Sequence, residues 1–210
     1  MAGSKDAPLN EQSRAFDIVA ITASAGGVNA LSTVLGRLPG DFPAAIVIVQ
    51  HLDPHHRSMM AEVLSRRTLL TVKQAQEGDV LKPGMVYVAP PDRHLLVNPD
   101  GTVSLSRSEL VHFVRPSADL LFDSMAASYK QRCIGVVLTG TGSDGAFGVE
   151  SIKRVGGVVL AQNEASSAFF GMPGAAIRTG AVDLVLPLDE IAGTLVRLVQ
   201  KGLVDEHGLP

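Results

Sequence analysis

Residues 134–148, IGVVLTGTGSDGAFG, decide the fold. The apolar run from Ile134 to Leu138 suits a strand buried on both faces, and the glycine-rich turn after it leads into a helix beginning near Ala146. The same order of buried strand, tight loop and helix recurs in DIVAITASAGGV at 17–28 and in AIVIVQHLDP at 45–54. Each loop presents one member of a hydrolase triad: Ser24, His51 and Asp144. In an open parallel sheet the carboxyl ends of neighbouring strands face one crevice, so side chains far apart in sequence can meet there.

Working outward, strands are predicted at about 17–23, 45–50, 134–139, 157–162 and 182–187. Helices are predicted from Val28, near 56–66, after Pro116, at 146–155, from Met172-Pro173 to before Gly180, and at 189–200. Val28, Leu31, Val34 and Leu35 share one face of the first helix, and Met60, Val63 and Leu64 repeat at helical spacing in the second. The middle of the chain differs: TVKQA, MVYVA, HLLVN and TVSLS are short β-like runs broken by glycine and proline. The last two flank Pro99-Asp100-Gly101, which predicts an antiparallel hairpin over about 94–106. The expected fold is α/β, a doubly wound, mostly parallel sheet with helices on both faces and one antiparallel hairpin. Residues 16–201 read as one domain between flexible segments 1–15 and 202–210.

Hydrophobic residues make up 46% of the 210 residues and aromatics only 4%, so the core must be built from Val, Ile, Leu and Ala. A formal charge of −3 argues against a broad nucleic-acid or anionic-membrane surface, and Arg57, Arg66 and Arg67 form only a local basic cluster. No stretch approaches the roughly 20 apolar residues of a membrane span, and the polar N-terminus lacks the apolar segment of a secretory signal. A cytoplasmic protein without membrane insertion is expected. The single cysteine, Cys133, lies against IGVVL and reads as a packed, reduced thiol.

Each candidate has a plainer reading beside the catalytic one. Ser24 sits at a sharp strand-to-helix turn with Gly26-Gly27, suited to an exposed nucleophile near backbone N–H groups, or to capping the helix. His51, at a strand's carboxyl end, could relay a proton, or simply bond nearby backbone; with Asp53, His55 and His56 it also offers a metal reading. Asp144 could orient His51, or place negative charge in a helix's first turn. Gly140 to Gly145 also fits G-x-G-x-x-G, with Glu164 about 20 residues onward, the pattern of a dinucleotide-binding loop. A carboxylate at Asp144 would lie beside the pyrophosphate, which ranks that reading second. Tyr87, His94 and His112 read as packing or surface residues.

Taken together, ASAGGVNAL, VQHLDP, YVAPPDRH, RPSADLLFDSMA, GVVLTGTGSDGAFG and AQNEASSAFFGMPGAAIRTGAVDLVLPLDEIA resemble the chemotaxis-type protein-glutamate methylesterases (CheB), from Asp17 to Leu198. The resemblance implies Ser24 as nucleophile, His51 as base and Asp144 as orienting acid, with no metal or organic cofactor. Ala25 and the Thr141 loop are the implied oxyanion-hole candidates. It implies hydrolysis of glutamate γ-methyl esters on cytoplasmic chemoreceptor helices, with receptor-glutamine deamidation in some members. With only about 16 residues before the first strand, no receiver domain is expected, so a separate response regulator or methyltransferase is the implied partner. HLDPHHRSMMAEVLSRR is similar to forms in which the esterase is joined to a methyltransferase. Ala25 stands where Thr is common and Thr141 where Met is common, so a catalytically weak receptor-binding module is the alternative.

Overall fold

The computed structural model describes residues 15–51, 58–111 and 113–201. Segments 1–14 and 202–210, together with Asp53, His55, His56, Arg57 and His112, lie outside the described residues.

The central strands are β1 (Ile18–Ala23), β2 (Ala45–Gln50), β7 (Cys133–Val137) and β8 (Val158–Gln162), and every residue in them is buried. Buried β-branched side chains on both faces are what a strand covered by helices above and below requires. These four join β3 (Thr71–Gln74), β4 (Met85–Val88) and β9 (Leu184–Leu186) in a parallel sheet of order β3-β4-β2-β1-β7-β8-β9. The partly exposed strands β3 and β9 are its edges. The expected hairpin is present as a separate antiparallel pair, β5 (His94–Val97) with β6 (Val103–Ser106).

Helices α1 (Gly27–Leu35), α2 (Met60–Ser65) and α6 (Leu188–Lys201) cover one face. Their core includes Leu31, Val34, Leu35, Met60, Leu64, Leu195 and Leu198 against Val19, Ile21, Ile46 and Val136. Helices α3 (Ala118–Tyr129), α4 (Ala146–Arg154) and α5 (Gly171–Arg178) cover the other, together with the hairpin. Each fully buried Val, Ile or Leu side chain contributes roughly 1.5–3 kcal/mol, so these two layers supply most of the drive to fold.

Two expected core positions face outward. Val28 is 38% exposed and Val63 39% exposed, while Met60 and Leu64 are buried. Val28 stands in the first turn of α1, at the sheet's carboxyl rim, and α2 is one short helix that docks through its i, i+4 pair. Cys133 is buried, as expected of a packed thiol, and burial pushes its pKa up to about 12. Among the described residues no helix is long and apolar enough to cross a membrane.

The chain runs outward from β1 through β2 and β4, then returns to β7 on the other side of β1. That reversal makes the carboxyl ends of β1 and β7 the topological switch point, where open α/β sheets form their crevice.

Candidate active site

Ser24 and His51 follow immediately on the last registered pair of β1 and β2, Ala23 opposite Gln50. Parallel neighbours lie about 4.8 Å apart, so the register itself brings these two residues together. The His51 N–H donates to Ala23 O at 3.2 Å, the final rung between the two strands. Beyond it Ser24 turns to β7, donating its N–H to Thr139 O at 3.0 Å.

Glycine makes the turn possible. Gly26 has φ of +77°, a left-handed conformation that costs glycine nothing. It is also the N-terminal flanking residue of α1, and among the described residues no side chain caps that helix. The capping role considered for Ser24 is therefore not taken up. Gly140 solves a different problem, close approach: a Cβ there would lie 2.8 Å from the Ser24 Cβ and 2.3 Å from Met172 Sδ.

His51 Nε2 lies 2.8 Å from Asp144 Oδ2. The histidine side chain is 14% exposed and the carboxylate 4% exposed, so the pair sits at the mouth of the crevice with its acid inside. Asp144 Oδ2 also accepts the Ala118 N–H at 2.6 Å, and Oδ1 accepts the Ser117 hydroxyl at 2.8 Å and the Asp119 N–H at 3.2 Å. Burial alone would push the Asp144 carboxyl up, but the hydrogen bonds from His51, Ala118 and Ser117 outweigh it and hold the pKa below the usual value. An ionised acceptor fixes the proton on His51 Nε2 and leaves Nδ1 as the basic nitrogen.

His94 gains partners that its sequence context did not suggest. It is fully buried; Nδ1 accepts the Ser117 N–H at 3.1 Å and Nε2 donates to Glu109 O at 3.0 Å. Through Ser117 it braces the cradle that holds Asp144. Tyr87 is a packing residue as expected, with its hydroxyl donating to Val80 O at 2.7 Å.

His51, Phe113, Val114, Thr141, Gly142, Ser143 and Asp144 line an open pocket of about 290 Å³. Thr141, Gly142 and Ser143 are exposed at its rim. Among the described residues the N–H groups of Ala25 and Thr141 donate to no protein acceptor. Thr139 Oγ1 fixes the Ala25 end of this region, donating to Ala25 O at 3.1 Å. Gly171 packs α5 directly against the Thr141 loop, since a Cβ there would lie 3.1 Å from Thr141 Cα.

The dinucleotide reading of Gly140 to Gly145 fails on electrostatics. A pyrophosphate would need the N-terminus of α4, but the Asp119 carboxylate already fills it, Oδ1 accepting the N–H groups of Gly145 at 3.0 Å and Gly148 at 2.7 Å. A second anion there would meet two buried carboxylates. Among the described residues no three His, Cys, Asp or Glu side chains gather to hold a metal, and Asp53, His55 and His56 of the metal reading lie outside them.

Sequence reasoning missed Gln50, His94, Ser117 and Asp119. Gln50 had a signal, a polar side chain closing the apolar strand AIVIVQ directly before His51. Ser117-Ala118-Asp119 after Pro116 reads locally as a helix start, which hides its second role toward Asp144.

Comparison with known proteins places the chain in a family. The CheB methylesterase family model matches residues 19–195. A Leptospira interrogans protein, provisionally named protein-glutamate methylesterase/protein-glutamine glutaminase, is 42% identical over 188 residues, covering 90% of this chain and 97% of that one. Protein-glutamate methylesterase/protein-glutamine glutaminase 2 of Anaeromyxobacter dehalogenans is 47% identical over 184 residues, 88% of this chain and 54% of that one. This chain thus spans about half the length of the latter relative. The crystal structure of the Thermotoga maritima CheB methylesterase catalytic domain superposes with a TM-score of 0.84 at 41% identity, over 88% of this chain and 99% of that one. On the family model and these relatives together, the chain belongs to the CheB methylesterase family.

Proposed function

We propose that this protein is a cytoplasmic serine esterase that removes methyl groups from glutamate γ-methyl esters on the helical cytoplasmic region of chemoreceptors. The observation that carries the reading is the 2.8 Å contact between His51 and a buried Asp144, at the crevice where Ser24 is the adjacent register position. The membership of the family and the names of its relatives supply the substrate class.

In this reading Ser24 Oγ attacks the ester carbonyl carbon while its proton passes to His51 Nδ1. Asp144 stays ionised and steadies the imidazolium through Nε2, the reverse of the serine-protease arrangement in which the acid holds Nδ1. The N–H groups of Ala25 and Thr141 receive the oxyanion; losing one such donor typically costs about 100- to 1000-fold. The tetrahedral intermediate collapses, methanol leaves with the proton from His51, and a glutamyl ester remains on Ser24. Water activated by His51 then releases the γ-carboxylate and restores the serine. Neither step draws on a metal or organic cofactor. The same steps applied to a glutamine amide release ammonia, the reaction that the second half of the relatives' names describes.

Methanol release from methylated receptor by wild type and Ser24→Ala tests the proposal. Loss of turnover approaching a million-fold is expected for a triad nucleophile, and combining His51→Ala with Ser24→Ala should add little. Equal rates from wild type and Ser24→Ala would remove the mechanism.

A further inference from the structure

Gln50 is the last residue of β2, is 4% exposed, and reaches between the two loops that carry Ser24 and His51. Its Nε2 donates to Ser24 O at 2.8 Å and to His51 O at 3.1 Å. A primary amide has two N–H hydrogens, so both are committed to these two carbonyls. The main chain does not supply this link, because the ladder between β1 and β2 ends with the bond from His51 N–H to Ala23 O, and Ser24 N–H turns away to Thr139. Past that last rung, the Gln50 amide is what bridges, among the described residues, the residue bearing the hydroxyl and the residue bearing the imidazole.

Two further features argue that the amide is there for more than filling space. Gly27 leaves it room: a Cβ at Gly27 would lie 2.1 Å from Gln50 Oε1 and 3.0 Å from Cδ. The Oε1 itself is buried without a hydrogen-bond partner among the described residues, a standing cost that a leucine or methionine of similar size would avoid. A side chain that gives up one hydrogen bond in order to make two specific ones is suited to holding a distance.

We propose that Gln50 is a positioning residue that fixes the separation of Ser24 and His51 by clamping their carbonyls, an inference that rests on the esterase reading above. It touches neither substrate nor reacting atoms. Its removal should slow the chemical step and leave substrate binding alone.

The test compares wild type, Ser24→Ala, Gln50→Met and Gln50→Asn on methylated receptor, with circular dichroism and melting curves establishing that each is folded at the assay temperature. Gln50→Met keeps the length and loses both donors; its kcat should fall about 100-fold, the scale of a 1 Å misplacement, with KM within about twofold of wild type. Labelling of Ser24 by a fluorophosphonate should slow in parallel. Gln50→Asn keeps the amide but not the reach, so it should fall between the two, and it carries the test alone if Gln50→Met does not fold. Full kcat in a folded Gln50 variant, or a loss confined to KM, overturns the inference while the esterase reading stands. Undiminished turnover by Ser24→Ala instead removes the esterase reading, and the role of Gln50 with it.

Discussion

Asp119 and Asp144 cap each other's helices. Asp144, just before α4, accepts the N–H groups of Ala118 and Asp119 at the start of α3, while Asp119 accepts those of Gly145 and Gly148 at the start of α4. Each carboxylate lies where a helix dipole favours negative charge, and each helix holds the other's cap in place. The catalytic candidate among the two is thereby anchored by an exchange between helices and not by its own loop.

Stability should report the Asp144 environment as pH falls. Its carboxyl has a folded pKa below the usual value, so the unfolded chain binds the proton more tightly. The contribution is fully present above the unfolded pKa of about 3.9 and is lost as pH drops through the folded one. Urea unfolding followed from pH 7 downward should show this acid slope in wild type and a shallower one in Asp144→Asn. At neutral pH Asp144→Ala should cost on the order of 1–3 kcal/mol, the scale for leaving the buried donors of Ser117, Ala118 and Asp119 without their acceptor.

Asp119→Ala should weaken the start of α4 by about 0.5–2 kcal/mol, the range for a lost helix cap. Because α4 begins directly after Asp144, kcat should fall as well, although Asp119 lies away from the pocket lining. Melting temperature and methanol release, measured on the same preparation, check both.

Gly140→Ala places a methyl group against the Ser24 Cβ and Met172 Sδ. Overpacking of this kind costs about 1–3 kcal/mol. The larger consequence should be kinetic, a drop in kcat on the order of 100-fold as Ser24 is displaced. A folded Gly140→Ala protein with wild-type kcat would show that the contact between Ser24 and the Gly140 loop does not matter to the chemistry.

Cys133 should resist thiol reagents in the native protein, since it is buried and its pKa is pushed up to about 12. Titration with a disulfide reagent at pH 8 should find one reactive thiol only after denaturant is added, in keeping with the single cysteine of the sequence.

The central sheet was legible because its strands are buried on both faces and so are written as unbroken apolar runs; the hairpin was legible because Pro99-Asp100-Gly101 separates two alternating segments. The parallel pairing of β3 with β4, and their place beyond β2, was not. Four-residue strands bounded by proline and glycine carry no record of direction, which is set by where the crossover docks. In the candidate site, Ser24, His51 and Asp144 could be singled out because each lies in a loop that follows a readable strand. The Asp144 cradle could not, since Ser117, Ala118 and Asp119 lie far from it in sequence and use groups that every helix start possesses. His94 was hidden for a similar reason: its partners are a main-chain N–H and a carbonyl, which no residue pattern announces.

Ser24, His51 and Asp144 hang from three adjoining central strands, β1, β2 and β7, whose ladders run to the very edge of the crevice. A site framed this way cannot be turned off by prying its walls apart, because doing so would tear the middle of the sheet. The spacing of the three loops should therefore persist for as long as the sheet itself holds.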